Sequence, residues 1–214
     1  MIKTESSLMI DQKISVLSKY IPPEAANLIA KWIDFYRCEF KISKSRNTKF
    51  GDYRPPQNGK GHRISVNHNL NPYAFLVTAV HEFAHLVTWK EFEQKAKPHG
   101  NEWKTNFKRM MQPFFEFEVF PIEIRKVITN YLENPSASSC SDIDLFRALS
   151  SYDKKDPNII HVDKVPDNHR FAMKNGKVFR KMNKIRKRFR CIEVKSGAIY
   201  LFSPIAEVYL MKDE

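Results

Sequence analysis

The chain has few cysteines and no two of them close together. Cys38, Cys140 and Cys191 are odd in number, far apart, and form no C-x-x-C pair. That excludes a disulfide framework and a cysteine-based zinc site, which both need more thiols in tighter groups. All three are expected to be reduced and structural. Long apolar runs are missing too, so no membrane-spanning segment is expected. The opening MIKTESSLMIDQKIS lacks the apolar core and small-residue cleavage site of a signal peptide, and a cytoplasmic location is expected. Acidic residues are the scarcer charge, 24 against 36 Lys and Arg, for a net charge of +12 and a pI of about 9.6. Such a balance points to an acidic partner, nucleic acid being the commonest, although a lysine-rich solubilising surface would give the same total.

Apolar residues make up 42% of the 214, enough for one full core and a small appended module. Residues 11–20 read as a short helix, and 23–36, opening on Pro23, as a second. RCEFKIS (37–43) and HRISVN (62–67) read as strands, with hairpin or loop over 44–61. Asn71 followed by Pro72 is a strong helix start, and a helix is expected from 72 to 94. NEWKTNFKRMM (101–111) reads as another, ended by Pro113, and 121–133 and 141–151 as two more. The character changes after residue 153. Short β-prone runs then alternate with turn signals, NGK (175–177) and KSG (195–197) among them. The expected organisation is a 1–153 domain and a small antiparallel β module at 154–214.

Within the long helix lies VTAVHEFAHLVTW (77–89), which holds His81-Glu82-Phe83-Ala84-His85, an H-E-x-x-H. Positions i and i+4 share one helix face, so two imidazoles there can bind one tetrahedral Zn²⁺. The glutamate beside the first is placed to act as general base toward a water that the metal activates. A third ligand is needed just after the helix. His99, in KPHGNEW where the helix breaks, suits that role better than Glu102. A bare H-E-x-x-H also occurs by chance. Here, however, two histidines and a carboxylate would have to be buried among valines without a ligand, which is costly.

The combined pattern VTAVHEFAHLVTW…PHGNEWK resembles the SprT-like zinc metalloproteases, whose eukaryotic relatives include the Spartan DNA–protein crosslink protease. His81, Glu82, His85, His99, Gly100 and Trp103 each match the family's H-E-x-x-H…H-G-x-x-[FW]. SRNTKFGDYRPP and HRISVN resemble its upstream strands, so the likeness covers roughly residues 20–115. It implies an α+β fold: a zincin-like minimal metalloprotease domain with a few antiparallel strands near the active-site helix. It also implies zinc on His81, His85 and His99, with Glu82 catalytic. Many relatives carry a C-terminal zinc ribbon with paired cysteines. This module has only Cys191, so it resembles a degenerate ribbon or is unrelated, and one zinc per chain is expected.

Residues 170–190 hold ten Lys and Arg and no acid. Arg180, Lys181, Lys184, Arg186, Lys187, Arg188 and Arg190 are the expected nucleic-acid contacts. Phe171, Phe179 and Phe189 interleave with them; stacking on bases is one use, and forming the module's core is the simpler one. Lys41, Lys44, Arg46, Lys49, Arg54, Lys60 and Arg63, against Asp52, form a second basic cluster. His62, His68, His161 and His169 have no metal spacing and read as ordinary surface or loop histidines. Trp32, Trp89 and Trp103 read as core, and FFEFEVF (114–120) as packing. The leading expectation is a monomeric, SprT-like zinc endopeptidase docked on DNA, an edge strand near 62–67 holding its protein or peptide substrate. The alternatives are a DNA- or RNA-binding, transcription-associated protein with a structural zinc, and a zinc hydrolase acting on other bonds.

Overall fold

The computed structural model describes residues 5–46, 49–136, 142–154 and 156–211; Cys140 lies outside them. The fold is α+β, with six α-helices and two sheets among the described residues. Two compact units divide the chain, Met1–Asp153 and Lys154–Glu214. No described helix is long and apolar enough to cross a membrane.

The first unit opens with helices α1 (Glu5–Leu17) and α2 (Pro23–Phe35). Strands β1 (Glu39–Ser43), β2 (Gly51–Arg54) and β3 (Arg63–Asn67) follow, in the order β1-β3-β2. Two expectations fail here. The strands are not all antiparallel, because β1 runs parallel to β3 and only β2 and β3 are antiparallel. Nor is 62–67 an edge; β3 lies in the middle, and β1 and β2 are the edges. The reason is burial. Ile64 and Val66 of β3 are nearly inaccessible, whereas the flanking strands are only half-covered. The strand with the best apolar face takes the centre.

Helix α3 (Pro72–Phe92) starts as expected: the Asn71 side chain accepts the Ala74 N–H at 3.0 Å. Thirteen of its 21 residues are buried, which makes it the central helix of the unit. Helix α4 (Asn101–Glu116) does not stop at Pro113 but runs one turn further. Proline removes one hydrogen bond near the helix end, while Met110, Met111 and Phe114 are all buried beside it. The Phe114 ring packs edge-on against Trp32 at 5.5 Å, and that packing outweighs the local penalty. Helices α5 (Ile122–Glu133) and α6 (Ile143–Ser150) complete the unit. Phe114, Val119 and Phe120 of FFEFEVF join its core.

The second unit is a six-stranded antiparallel sheet: β4 (Ile159–His161), β5 (Arg170–Ala172), β6 (Val178–Ile185), β7 (Arg188–Glu193), β8 (Ile199–Phe202) and β9 (Glu207–Leu210), in the order β4-β9-β5-β6-β7-β8. The turns before β6 and β8 carry Gly176 and Gly197 at positive φ, the conformation that glycine tolerates best. Phe171, Phe179 and Cys191 lie in its small core, with Phe189 packed against them. Phe171 and Phe179 therefore help hold the module together, while Phe189 is half-buried against them.

Candidate metal centre

Helix α3 presents His81 and His85 one turn apart. His99 reaches them from the turn that follows. In that turn Gly100 N–H donates to the Lys97 carbonyl at 2.9 Å, with Pro98 and His99 in the middle. His99 takes a φ of 57°, a left-handed conformation that side chains other than glycine rarely adopt, and such local strain is typical of functional positions. It aims the imidazole back at α3.

The three Nε2 atoms face one another, 3.3 Å apart for His81–His85 and His81–His99 and 2.9 Å for His85–His99. Nitrogens held about 2.05 Å from one tetrahedral centre stand about 3.3 Å apart, so the triad has the dimensions of a metal site. Burial, then the neighbouring imidazoles, holds the His81 pKa well below its ordinary value and pushes His85 down to about 3; burial also lowers His99. Neutral imidazoles are the form that binds a cation. These three form the one such group among the described residues, and Glu102 is not part of it. Trp103 is fully buried, with its ring 4.7 Å from His81, 5.3 Å from His85 and 4.7 Å from His99, and it walls off one side of the triad.

Glu82 is buried, and burial is the main cause that raises its pKa to about 8; Asp52 adds to the rise, and Arg46, Lys49 and the Tyr53 backbone N–H oppose it. Strand β2 approaches it closely. A Cβ on Gly51 would lie 2.5 Å from Glu82 Oε1, so glycine is required at that point. In the metal-free protein this burial is costly. A carboxyl whose folded pKa lies above its unfolded value adds stability at low pH and loses it as pH rises, here between about 4.5 and about 8. Glu82→Gln is therefore expected to gain on wild type across that window by a few kcal/mol at most. Chemical denaturation of both metal-free proteins at pH 4.5 and pH 8 measures it, and parallel profiles would show that Glu82 ionises freely.

Two residues that the sequence did not mark also line this region. The Tyr53 ring lies parallel to His85 at 6.4 Å, and its hydroxyl pairs with His62 Nδ1 at 2.9 Å. His62 packs edge-on against Trp89 at 5.1 Å, so it is not an ordinary surface histidine. Neither stands at a metal spacing from the motif; only the pairing of β2 with β3 brings them there. A cavity of 530 Å³ between α1, α2 and β1 is lined by Cys38, whose thiol burial pushes up to about 12, far from a reactive value.

In the second unit the basic residues separate by environment. Arg186 and Lys187 form the exposed tip of the β6–β7 hairpin, with exposed Arg180, Lys184 and Arg188 near it in sequence. Lys181 does not belong to that surface. Its side chain is only 5% exposed, its Nζ donates to the Val165 carbonyl at 2.6 Å and pairs with Asp167 at 3.2 Å, and it lies 4.4 Å from the centre of the Phe189 ring. The alternation of β6 turns it into the core, where its charge is already used. Arg190 is half-buried.

Three converging imidazoles form a group able to hold a metal ion, and a buried glutamate stands one residue from the first of them. The profile of the SprT-like family matches residues 24–125, which include every residue of the triad and Glu82. The likeness drawn from the motifs is thereby borne out, and this segment is SprT-like. No curated protein and no solved structure matches the chain.

Proposed function

We propose that the chain is a zinc-dependent endopeptidase of the SprT-like type that acts on DNA-associated proteins. The observation that carries this reading is Glu82, a buried carboxylate with a raised pKa on the helix that supplies two of three converging imidazoles. A purely structural site has no use for such a base. His81, His85 and His99 would hold the ion. Imidazole ligands suit several first-row metals, and three of them with an open position is the catalytic zinc arrangement. When bound, zinc polarises a carbonyl and makes a water acidic enough to deprotonate near neutral pH.

The protein's own part follows from its geometry. Glu82 accepts the proton of the attacking water and can return it to the leaving amine. Trp103 keeps solvent from one side of the imidazoles. Strand β2 is the sheet edge beside Glu82, and an extended peptide laid along it would enter as a further strand. The exposed cations at the β6–β7 hairpin, Arg186 and Lys187 foremost, supply an attraction for nucleic acid that weakens steeply with salt.

The test is cleavage of a basic DNA-binding protein by zinc-loaded wild type, with and without single- or double-stranded DNA. DNA is expected to raise the rate at least about tenfold by bringing both proteins to one strand. Cleavage that is indifferent to DNA would leave an endopeptidase of another substrate class. Absence of cleavage with one bound metal would favour the binding-protein reading.

A further inference from the structure

The sheet that backs the metal centre has a second face. Side chains alternate along its strands, so Phe40, Ile42, Ile64, Val66 and Tyr53 share the core side. On the opposite side the register lines up Glu39, Arg63 and Arg54 in one row, and Lys41, Ser65 and Asp52 in the next. Asn67 lies beyond them, 1% exposed, and ties down Arg46 and Lys49. Its amide donates to the Lys49 carbonyl at 2.9 Å, and its Oδ1 accepts Arg46 Nε at 2.9 Å. Arg46 also reaches Ser65 Oγ at 3.2 Å, so among the described residues its guanidinium is anchored by neutral groups.

The two rows, together with Ser43, Arg46 and Ile64, line an open cavity of about 310 Å³. That is near the lower end of ligand pockets, about 300–1,000 Å³. Among the described residues Ile64 is the one apolar residue of the lining, and its side chain is buried in the core, so a lipid or an apolar peptide is a poor match. Lys41, Arg46, Arg54 and Arg63 stand against Glu39 and Asp52. Asp52 is already neutralised, by Lys49 at 2.7 Å and Arg54 at 2.8 Å. Arg63 Nε is buried and, among the described residues, has no hydrogen-bond partner. An orphaned guanidinium nitrogen beside an anchored one is an incomplete anion site.

We propose that this face binds phosphate groups of a single nucleic-acid strand. Arg63 and Lys41 lie in successive rows, about 6.8 Å apart along the strand direction, which suits adjacent phosphates of an extended chain better than one free anion. Arg46 and the Ser65 hydroxyl complete the cradle. This contact belongs to the unit that holds the triad and is separate from the cations of the second unit. It does not depend on the peptidase reading.

The experiment is fluorescence anisotropy of a labelled oligothymidine with the full chain, over a salt series. Lys41→Ala/Arg63→Ala is expected to bind at least about tenfold more weakly, and its log–log salt slope to flatten by about 1.4, the value for two lost phosphate contacts. Lys41→Arg, which keeps the charge and leaves the Arg63 guanidinium in place, is expected to stay within about threefold of wild type. If the alanine pair melts early, Lys41→Glu, at an exposed side chain, reads out the same site. Affinity and slope unchanged in these variants would overturn the proposal. So would displacement of the oligonucleotide by millimolar orthophosphate at matched ionic strength, since the site would then be one for the free anion.

Discussion

Glu82→Ala is expected to lower peptide cleavage by about 10²–10⁴-fold, the usual worth of a positioned general base, while the protein still binds one metal ion. Both halves of this expectation follow from where the carboxylate sits. It lies outside the group formed by His81, His85 and His99, so the ion's nitrogen ligands survive the substitution. It is also buried, and burial raises its pKa to about 8 in the metal-free chain, so it is basic enough to take a proton near neutral pH. Alanine removes the base and admits a water to its place, and that water cannot accept a proton as well. The measurement pairs single-turnover cleavage with metal analysis of the same samples. Activity within about tenfold of wild type would remove Glu82 from the base role. Loss of both metal and activity would make it a ligand or a support of one.

His85→Ala is expected to abolish stoichiometric metal binding. Its Nε2 is the nitrogen nearest to that of His99, at 2.9 Å, and is 3.3 Å from that of His81. Without it the remaining pair presents two nitrogens and no third within reach among the described residues. Two imidazoles alone hold a divalent ion weakly, so dialysis against a mild chelator should leave wild type loaded and the variant empty. The thermal readout is independent of activity. At a free metal concentration one hundred times the dissociation constant, binding adds about 2.7 kcal/mol to wild-type stability, a shift that the variant should lack. A variant that retains one ion per chain would take His85 out of the ligand set.

Much of the first unit was legible because its signals are local. Asn71-Pro72 marks the start of α3 within two residues, and the i, i+4 spacing alone sets His81 and His85 on one face. His99 was legible because a Pro and a Gly flank it where the chain must turn. The hairpin glycines of the second unit act just as locally. Lys181 shows the limit. In a run of ten cations it reads as one more surface charge, yet β6 turns it inward to the Val165 carbonyl and the Phe189 ring. Pro113 shows the same limit in a helix, where buried Phe114 overrides a local stop signal.

The amino-acid sequence by itself determined the three histidines that could hold a metal ion, the helix that carries two of them, the glutamate beside them and the excess of positive charge. Capping, helical periodicity and turn chemistry each act over a few residues, so they can be read without knowing what packs where. Only the tertiary structure decided that β3 takes the centre of the sheet and that β2 faces Glu82. It alone brought Tyr53 beside His85 and His62 against Tyr53, required glycine at position 51, and gathered Lys41, Arg46 and Arg63 around one cavity. Those relations depend on strand register and on competition among apolar faces for the core, which join residues far apart in the chain and leave no local mark in the sequence.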